Sequence, residues 1–270
     1  MKTRIIAAVA LLPLLLVVVL FAPKVCTAIL FGAMAAIGAY ELTAGTCLVR
    51  ELRLNVCTMA MAFFACLWCG LGIGYGWLIL GILVFWVLIF AEVMRGGMEI
   101  SFEKVAVCLT GGIILPLLFG SIVRIHSGIY GRYLVFVPFV LAFLSDTGAY
   151  FAGYFFGKHK LAPVISPKKT VEGVVGGVFA TILGMLVYCL VLQLAFGFKC
   201  NYVFAALYGL AGSLAGVFGD LCFSVIKRQT GIKDYGNLIP GHGGILDRFD
   251  SMMIVGPLAE ALLLLLPLVV

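Results

Sequence analysis

Long apolar runs recur so densely along this chain that only a membrane-spanning architecture can accommodate them. They cover residues 5–22, 25–42, 54–70, 71–91, 105–123, 133–156, 171–198, 202–223 and 252–270. A helix of about 20 residues crosses the roughly 30 Å hydrocarbon layer, so runs of this length are read as spans. In lipid each backbone N–H and C=O must be satisfied within the protein, which makes such runs helical. The expected fold is therefore an all-α, polytopic integral membrane helix bundle with about nine transmembrane helices. Lys2 and Arg4 precede the first run and Pro23 follows Ala22 directly, so the first run reads as an uncleaved helix rather than a signal peptide. With 64% apolar and 11% charged residues, no polar stretch is long enough for a separate soluble domain. Residues 1–270 read as one membrane-embedded domain: spans of unassigned role over 1–130, and spans carrying the chemistry-bearing residues over 131–270.

The net charge of +6 does not imply nucleic-acid binding, because its distribution follows the membrane. With the amino terminus on the cytoplasmic side, fourteen of the eighteen Lys and Arg fall in inner segments; only Lys24, Arg124, Arg132 and Lys199 fall outside. This bias predicts an outside carboxyl terminus and places the charged loops in the cytoplasm, where nucleotides are found.

Two stretches concentrate the polar residues. The first, SVIKRQTGIKDYGNLIPGHGGILDRFD, runs from 224 to 250. Asp220, just upstream, is spaced to share one helical face with Ser224 and Lys227 at the end of a span. Gly231 is expected to end that helix, and GNLIPGHGG to form an irregular loop that lets a ligand approach the backbone. Asp247 and Asp250 then share a face where the last helix begins. Carboxylates at span edges, where charge is expensive, are hard oxygen ligands suited to Mg²⁺. The competing reading is a solvated loop with ordinary ion pairs.

The second stretch, SDTGAYFAGYFFGKHKLAPVISPKKTVEG, runs from 145 to 173. Asp146 lies well inside an apolar run, and an intramembrane acid marks a functional site by default. Ser166-Pro167 reads as an N-cap followed by proline at the first helical position. That register would set Lys168, Lys169 and Thr170 beside a helix amino terminus, an arrangement that favours phosphate, with Glu172 close behind. Here the competing reading is lysine placed by the positive-inside rule alone. Glu41, Glu92 and Glu103 lie at span ends and read as interfacial; Glu260 has no evident role. His126 and His159 read as loop residues without an evident partner.

Both stretches resemble the phosphatidate cytidylyltransferases, the CDP-diacylglycerol synthases. The family run K-R…K-D…P-x-H-G-G-x-x-D-R-x-D is present in full from Lys227 to Asp250, Ser224 matches three residues before it, and Phe218-Gly219-Asp220 fits the acidic position. The segment S-D-x-x-A-Y…F-G-K…I-S-P-K-K-T-x-E-G matches the second region. The matches cover about a quarter of the chain, and the amino-terminal half carries no matched motif.

The resemblance implies transfer of CMP from CTP to phosphatidate in the bilayer, giving CDP-diacylglycerol and pyrophosphate at the cytoplasmic face of the inner membrane. It implies Asp220, Asp247 and Asp250 as Mg²⁺ ligands, with room for a second, monovalent cation. Lys227, Asp234, His242, Arg248 and Asp146 are the implied catalytic residues. Ser166, Lys168, Lys169, Thr170, Glu172, Ser224, Arg228, Gly243 and Gly244 are the implied substrate contacts. A homodimer is compatible with this reading. The chemistry suits these residues: a phosphate monoester is already an ionised nucleophile, so the work lies in suppressing anion repulsion and stabilising the leaving pyrophosphate. Two rivals stay open. A proton- or ion-coupled transporter explains the intramembrane acids but not the H-G-G loop. A CTP-using lipid kinase would transfer the γ-phosphoryl group and would need a general base.

Overall fold

The computed structural model describes residues 17–96, 99–238 and 243–269. Seven of its helices are long and apolar enough to cross a membrane. They are α1 (Lys24–Gly45), α2 (Leu52–Leu71), α3 (Tyr75–Arg95), α4 (Phe102–Ser127), α5 (Val137–Phe156, entered through a turn at Gly131–Leu134), α6 (Val171–Phe196) and α7 (Tyr202–Gln229). A four-residue helix α8 (Leu246–Phe249) and the shorter α9 (Met252–Leu265) follow. The protein is thus a helical, polytopic membrane protein. Of the nine expected spans, that at 5–22 lies largely outside the described residues, and that at 252–270 forms a helix of only 14 residues with Pro257 inside it.

The chain divides into two compact units. One contains the described residues up to Tyr133 together with Lys227–Phe249; the other contains Leu134–Ile226 and the stretch from Asp250 onward. The division follows neither the single domain nor the simple halves expected from sequence, because the loop after α7 folds back with the amino-terminal helices.

In the first unit α2, α3 and α4 pack around a core of Leu54, Met61, Ala65, Phe85, Ile89, Val105 and Cys108. Two of its spans loosen locally. α1 ends in a π turn at Glu41–Gly45, and α4 carries another at Thr110–Ile114. Where the regular ladder is lost, hydroxyls take up the freed carbonyls: Thr43 Oγ1 donates to Ala39 O at 2.9 Å and Thr46 Oγ1 to Leu42 O at 2.7 Å. Single π turns inside α-helices often mark functional positions.

In the second unit α5 and α6 meet along a seam of small residues. A Cβ added at Gly148 would lie 2.5 Å from that of Ala180, and one at Gly177 would lie 2.9 Å from Ser145 O. Glycine is required at these positions by the close approach of two backbones, which is how helices associate where the solvent is itself apolar. α7 closes on α9 and its tail through Tyr208, whose hydroxyl donates to Leu266 O at 3.0 Å.

α5 and α6 are joined by a two-stranded antiparallel ribbon, β1 (Lys160–Ala162) with β2 (Ser166–Thr170), pairing Lys160 with Thr170 and Ala162 with Ser166. This corrects one sequence expectation. Ser166 is not an N-cap and Pro167 does not start a helix, since both lie in β2. A residue before proline is pushed toward extended backbone, and here the ribbon uses that bias. The cap is Thr170, with φ −126° and ψ 154°, whose Oγ1 accepts from Gly173 N at 3.1 Å. Lys168 and Lys169 therefore precede the helix end and alternate on opposite sides of a strand.

Candidate active site

Each unit carries its own carboxylate centre. In the first unit the loop after α7 is built on two buried acids. α7 stops as expected: Gly231 takes φ +71°, and Ile232 N donates to Lys227 O at 3.0 Å, a left-handed glycine termination. Asp247, in α8, accepts from Tyr235 N at 2.7 Å, Gly244 N at 3.0 Å and Lys227 Nζ at 2.9 Å. Lys227 Nζ also stands 5.5 Å above the centre of the buried Tyr235 ring, a cation–π geometry. Gly243 adopts φ +86°, and a Cβ there would meet Asp247 Oδ2 at 2.7 Å, so glycine is required twice over.

The second acid is Glu41, which the sequence reading left as interfacial. It is only 4% exposed, and it accepts from Ile245 N at 2.9 Å and Leu246 N at 2.8 Å, more than two hundred residues along the chain. Gly236 and Gly244 press against its carboxylate so closely that neither could carry a side chain. Glu41 thus caps the amino end of α8, and the π turn beginning at Glu41 brings its side chain there. The sequence did hold a signal: an acid at the end of a span and a paired glycine in a loop are complementary features. Nothing local links them.

Asp247 departs from the expectation of a ready metal ligand. Three donors occupy all but one of the roughly four acceptor positions of a carboxylate, and its side chain is 2% exposed. Its evident task is to shape the Gly243–Gly244 backbone and to fix Lys227. Arg248 and Asp234 stay exposed on the same loop, as does Arg228 at the end of α7. His242 lies outside the described residues.

The second unit presents the other centre. Lys169 leaves β2 to pair with Asp220 of α7 at 2.6 Å, with side chains 21% and 28% exposed, and its Nζ also reaches Val217 O at 3.4 Å. Ser224 Oγ donates to Asp220 Oδ1 at 3.2 Å, so these two of the three residues expected on one helical face meet, while Lys227 pairs with Asp247. Asp146 of α5 lies near enough to feel the charges of Asp220 and Lys169, and it hydrogen-bonds Ser251. Directly beneath, Ser145 and Ser213 join α5 to α7 at 2.8 Å. A Cβ at Gly219 would sit 2.9 Å from Asp250 O, so glycine lets the start of the last helical segment lie against α7 beside Asp220. Asp250 Oδ1 accepts from Ser251 N at 2.8 Å.

Glu172 and His159 complete the ribbon. Glu172 accepts from the backbone N–H groups of Lys158 and His159, and it meets His159 Nδ1 at 2.6 Å. The sequence reading had no partner for His159, and expected Glu172 to bind substrate; in the structure Glu172 ties the ribbon's entry to the start of α6. His126, likewise read as partnerless, is buried in α4 with Nδ1 3.1 Å from Thr27 Oγ1.

Whether these residues suit Mg²⁺ turns on donor chemistry. Among the described residues of either unit, no group of three or more His, Cys, Asp or Glu stands as a closed metal cage. Mg²⁺ seldom needs one, because it keeps waters and binds through one or two carboxylates plus substrate phosphates. Asp146 and Asp220 are two nearby carboxylates, and one lysine, paired with Asp220, acts on both. That leaves one negative charge for a hard cation to offset, so the second unit's residues fit the group.

The comparisons agree with the motifs. The cytidylyltransferase family model matches residues 2–266. A phosphatidate cytidylyltransferase of Staphylococcus epidermidis is 48% identical over 133 residues, 49% of this chain and 49% of that protein. Those of Staphylococcus haemolyticus and Staphylococcus aureus strain COL are 41% and 42% identical over 164 residues, 61% of each chain. The chain spans between about half and three fifths of the length of the curated relatives it matches. A family match running over nearly all of its length means that this chain belongs to the cytidylyltransferase family.

Proposed function

We propose that the protein is a phosphatidate cytidylyltransferase, joining the phosphate of phosphatidate to the α-phosphorus of CTP and releasing pyrophosphate. The observation that carries this reading is the Lys169–Asp220 pair with Asp146 beside it. It gathers into one cluster an intramembrane acid, the I-S-P-K-K-T segment and the F-G-D segment, three pieces of the family pattern separated by up to 74 positions in sequence. The names of the staphylococcal relatives point to the same reaction.

The attacking group is an ionised phosphate monoester, so the reaction needs alignment and charge compensation more than proton removal. Lys169, with Lys168 exposed on the next position of β2, supplies positive charge for triphosphate oxygens. Within the first unit, the family pattern assigns Arg228, Arg248 and the Gly243–Gly244 backbone to substrate, on a loop whose shape Glu41 and Asp247 hold. Asp220 and Asp146, with Asp250 adjoining, would hold Mg²⁺; when bound, it would offset phosphate charge and favour departure of pyrophosphate. The fourteen-to-four charge bias supports a cytoplasmic site in the inner membrane, with phosphatidate's chains remaining in lipid.

The test is to supply CTP labelled at either the α- or the γ-phosphorus, with phosphatidate and Mg²⁺, to purified protein. Label from the α position in a CDP-lipid is expected. Label from the γ position in lipid would mean a kinase and would overturn the reading.

A further inference from the structure

A seam between α2 and α3 carries a polar pocket at one end and an apolar groove along its length. The pocket, about 480 Å³, is lined by Glu51, Arg53, Glu92, Arg95, Gly96 and Ile100, among others. Arg53 and Arg95 converge on one carboxylate, Glu92, at 3.4 Å and 3.0 Å, and both arginine side chains are 71% exposed. The second acid is already matched: Lys104 pairs with Glu51 at 2.5 Å and holds its carboxyl below the usual range. Among these paired residues the three cations exceed the two carboxylates by one, and the two guanidinium forks are shaped for phosphate oxygens.

The groove, about 420 Å³, is lined by Val56, Ala60 and Phe64 on α2 and by Trp77, Val84 and Leu88 on α3, among others. It lies in line with the pocket on the same seam. Arg53, Val56, Ala60 and Phe64 follow one another at helical spacing along α2, as do Arg95, Glu92, Leu88, Val84, Gly81 and Trp77 along α3. Gly81 lets Phe64 close against α3, since a Cβ there would collide with the Phe64 ring. The far end of the seam carries Trp68 and Tyr75, with ring centroids 5.4 Å apart, and the exposed Trp77. Amphipathic aromatics of this kind mark a membrane interface. The seam thus runs from a cationic end to an aromatic end, and α3 is the least enclosed of the seven spans, with only Phe85 and Ile89 buried along it.

We infer that this seam binds one anionic glycerophospholipid from the bilayer, its phosphate on Arg53 and Arg95 and an acyl chain in the groove beyond. A phosphodiester matches the single uncompensated charge. A free phosphate would use the arginines but gain nothing from the groove. The site uses none of the residues assigned to nucleotide chemistry, so it does not depend on the proposed reaction.

The experiment measures lipid retention by native mass spectrometry on purified protein, using phosphatidylglycerol, phosphatidylcholine and soluble glycerol phosphate as probes. Phosphatidylglycerol should bind about tenfold more tightly than phosphatidylcholine, and Arg53→Gln with Arg95→Gln should erase that preference. Arg95→Gln alone, at an exposed position, should lower the preference by about threefold and guards against misfolding of the double variant. Ala60→Trp, filling the groove, should weaken both lipids. Any of three results would overturn the inference: a preference that survives the arginine changes, glycerol phosphate binding as well as the lipid, or Ala60→Trp altering only the number of protein copies per particle.

Discussion

The two carboxylate centres use the same side-chain chemistry in opposite ways. In the first unit, Glu41 and Asp247 are buried and accept from backbone N–H groups of the loop they support, Asp247 with Lys227 as its one charged partner. In the second, Asp146 and Asp220 remain accessible and face a single lysine with side-chain partners around it. A carboxylate satisfied by main chain defines a shape. A carboxylate left with a surplus of charge is prepared for a ligand. The family pattern does not separate these roles, since it records both kinds as acids at set positions.

The contrast can be broken most directly at Asp220. Asp220→Asn keeps volume and removes charge, so activity should fall about a hundredfold or more while thermal unfolding stays near wild type. Loss of fold together with activity would place Asp220 with the structural acids. Asp250→Asn should come next, losing activity mainly at limiting Mg²⁺, in a titration of rate against metal. An unchanged Mg²⁺ dependence would remove Asp250 from the cation's surroundings.

Glu41 tests the other side of the comparison. Glu41→Ala orphans two buried N–H groups at about 1–3 kcal/mol each, so the loop should lose hydrogen-exchange protection at Ile245 and Leu246. Glu41→Gln keeps one acceptor and should recover part of it. Protection unchanged in Glu41→Ala would show that Glu41 does not hold the loop. The smallest effect distinguishes neighbours: Lys169→Gln should lower kcat/KM by about tenfold, and Lys168→Gln by less, since only Lys169 pairs with Asp220. Equal losses would place the two lysines in one undivided phosphate patch.

Much of this was legible in the sequence because it is local. Of the nine spans that apolar length predicts, seven are helices long and apolar enough to cross a membrane among the described residues, Gly231 ends α7 where glycine should, and Asp220 and Ser224 meet one turn apart. What escaped is non-local or depends on competing local rules. Glu41 at the end of an apolar run looks like any interfacial acid until a loop from the far end of the chain donates to it. Ser166-Pro167 satisfies the rule for a helix start and equally the rule for an extended residue before proline; pairing with Lys160–Ala162 decided between them. Asp247 reads as a span-edge ligand because spacing cannot reveal that Tyr235, Gly244 and Lys227 already occupy it.

The glycine seam between α5 and α6 bears on how the lysine ribbon meets a polyanion. The ribbon is held at both ends by two helices in near backbone contact, and Glu172 ties its entry while Thr170 caps its exit. In the proposed reaction, its cations would not have to be gathered when a triphosphate arrives. In water, the same charges would reorient many solvent dipoles as negative charge moved toward the leaving group. A lysine on a clamped ribbon has its dipole environment set in advance, so, if the proposed transfer occurs here, little reorganisation energy would be spent on it.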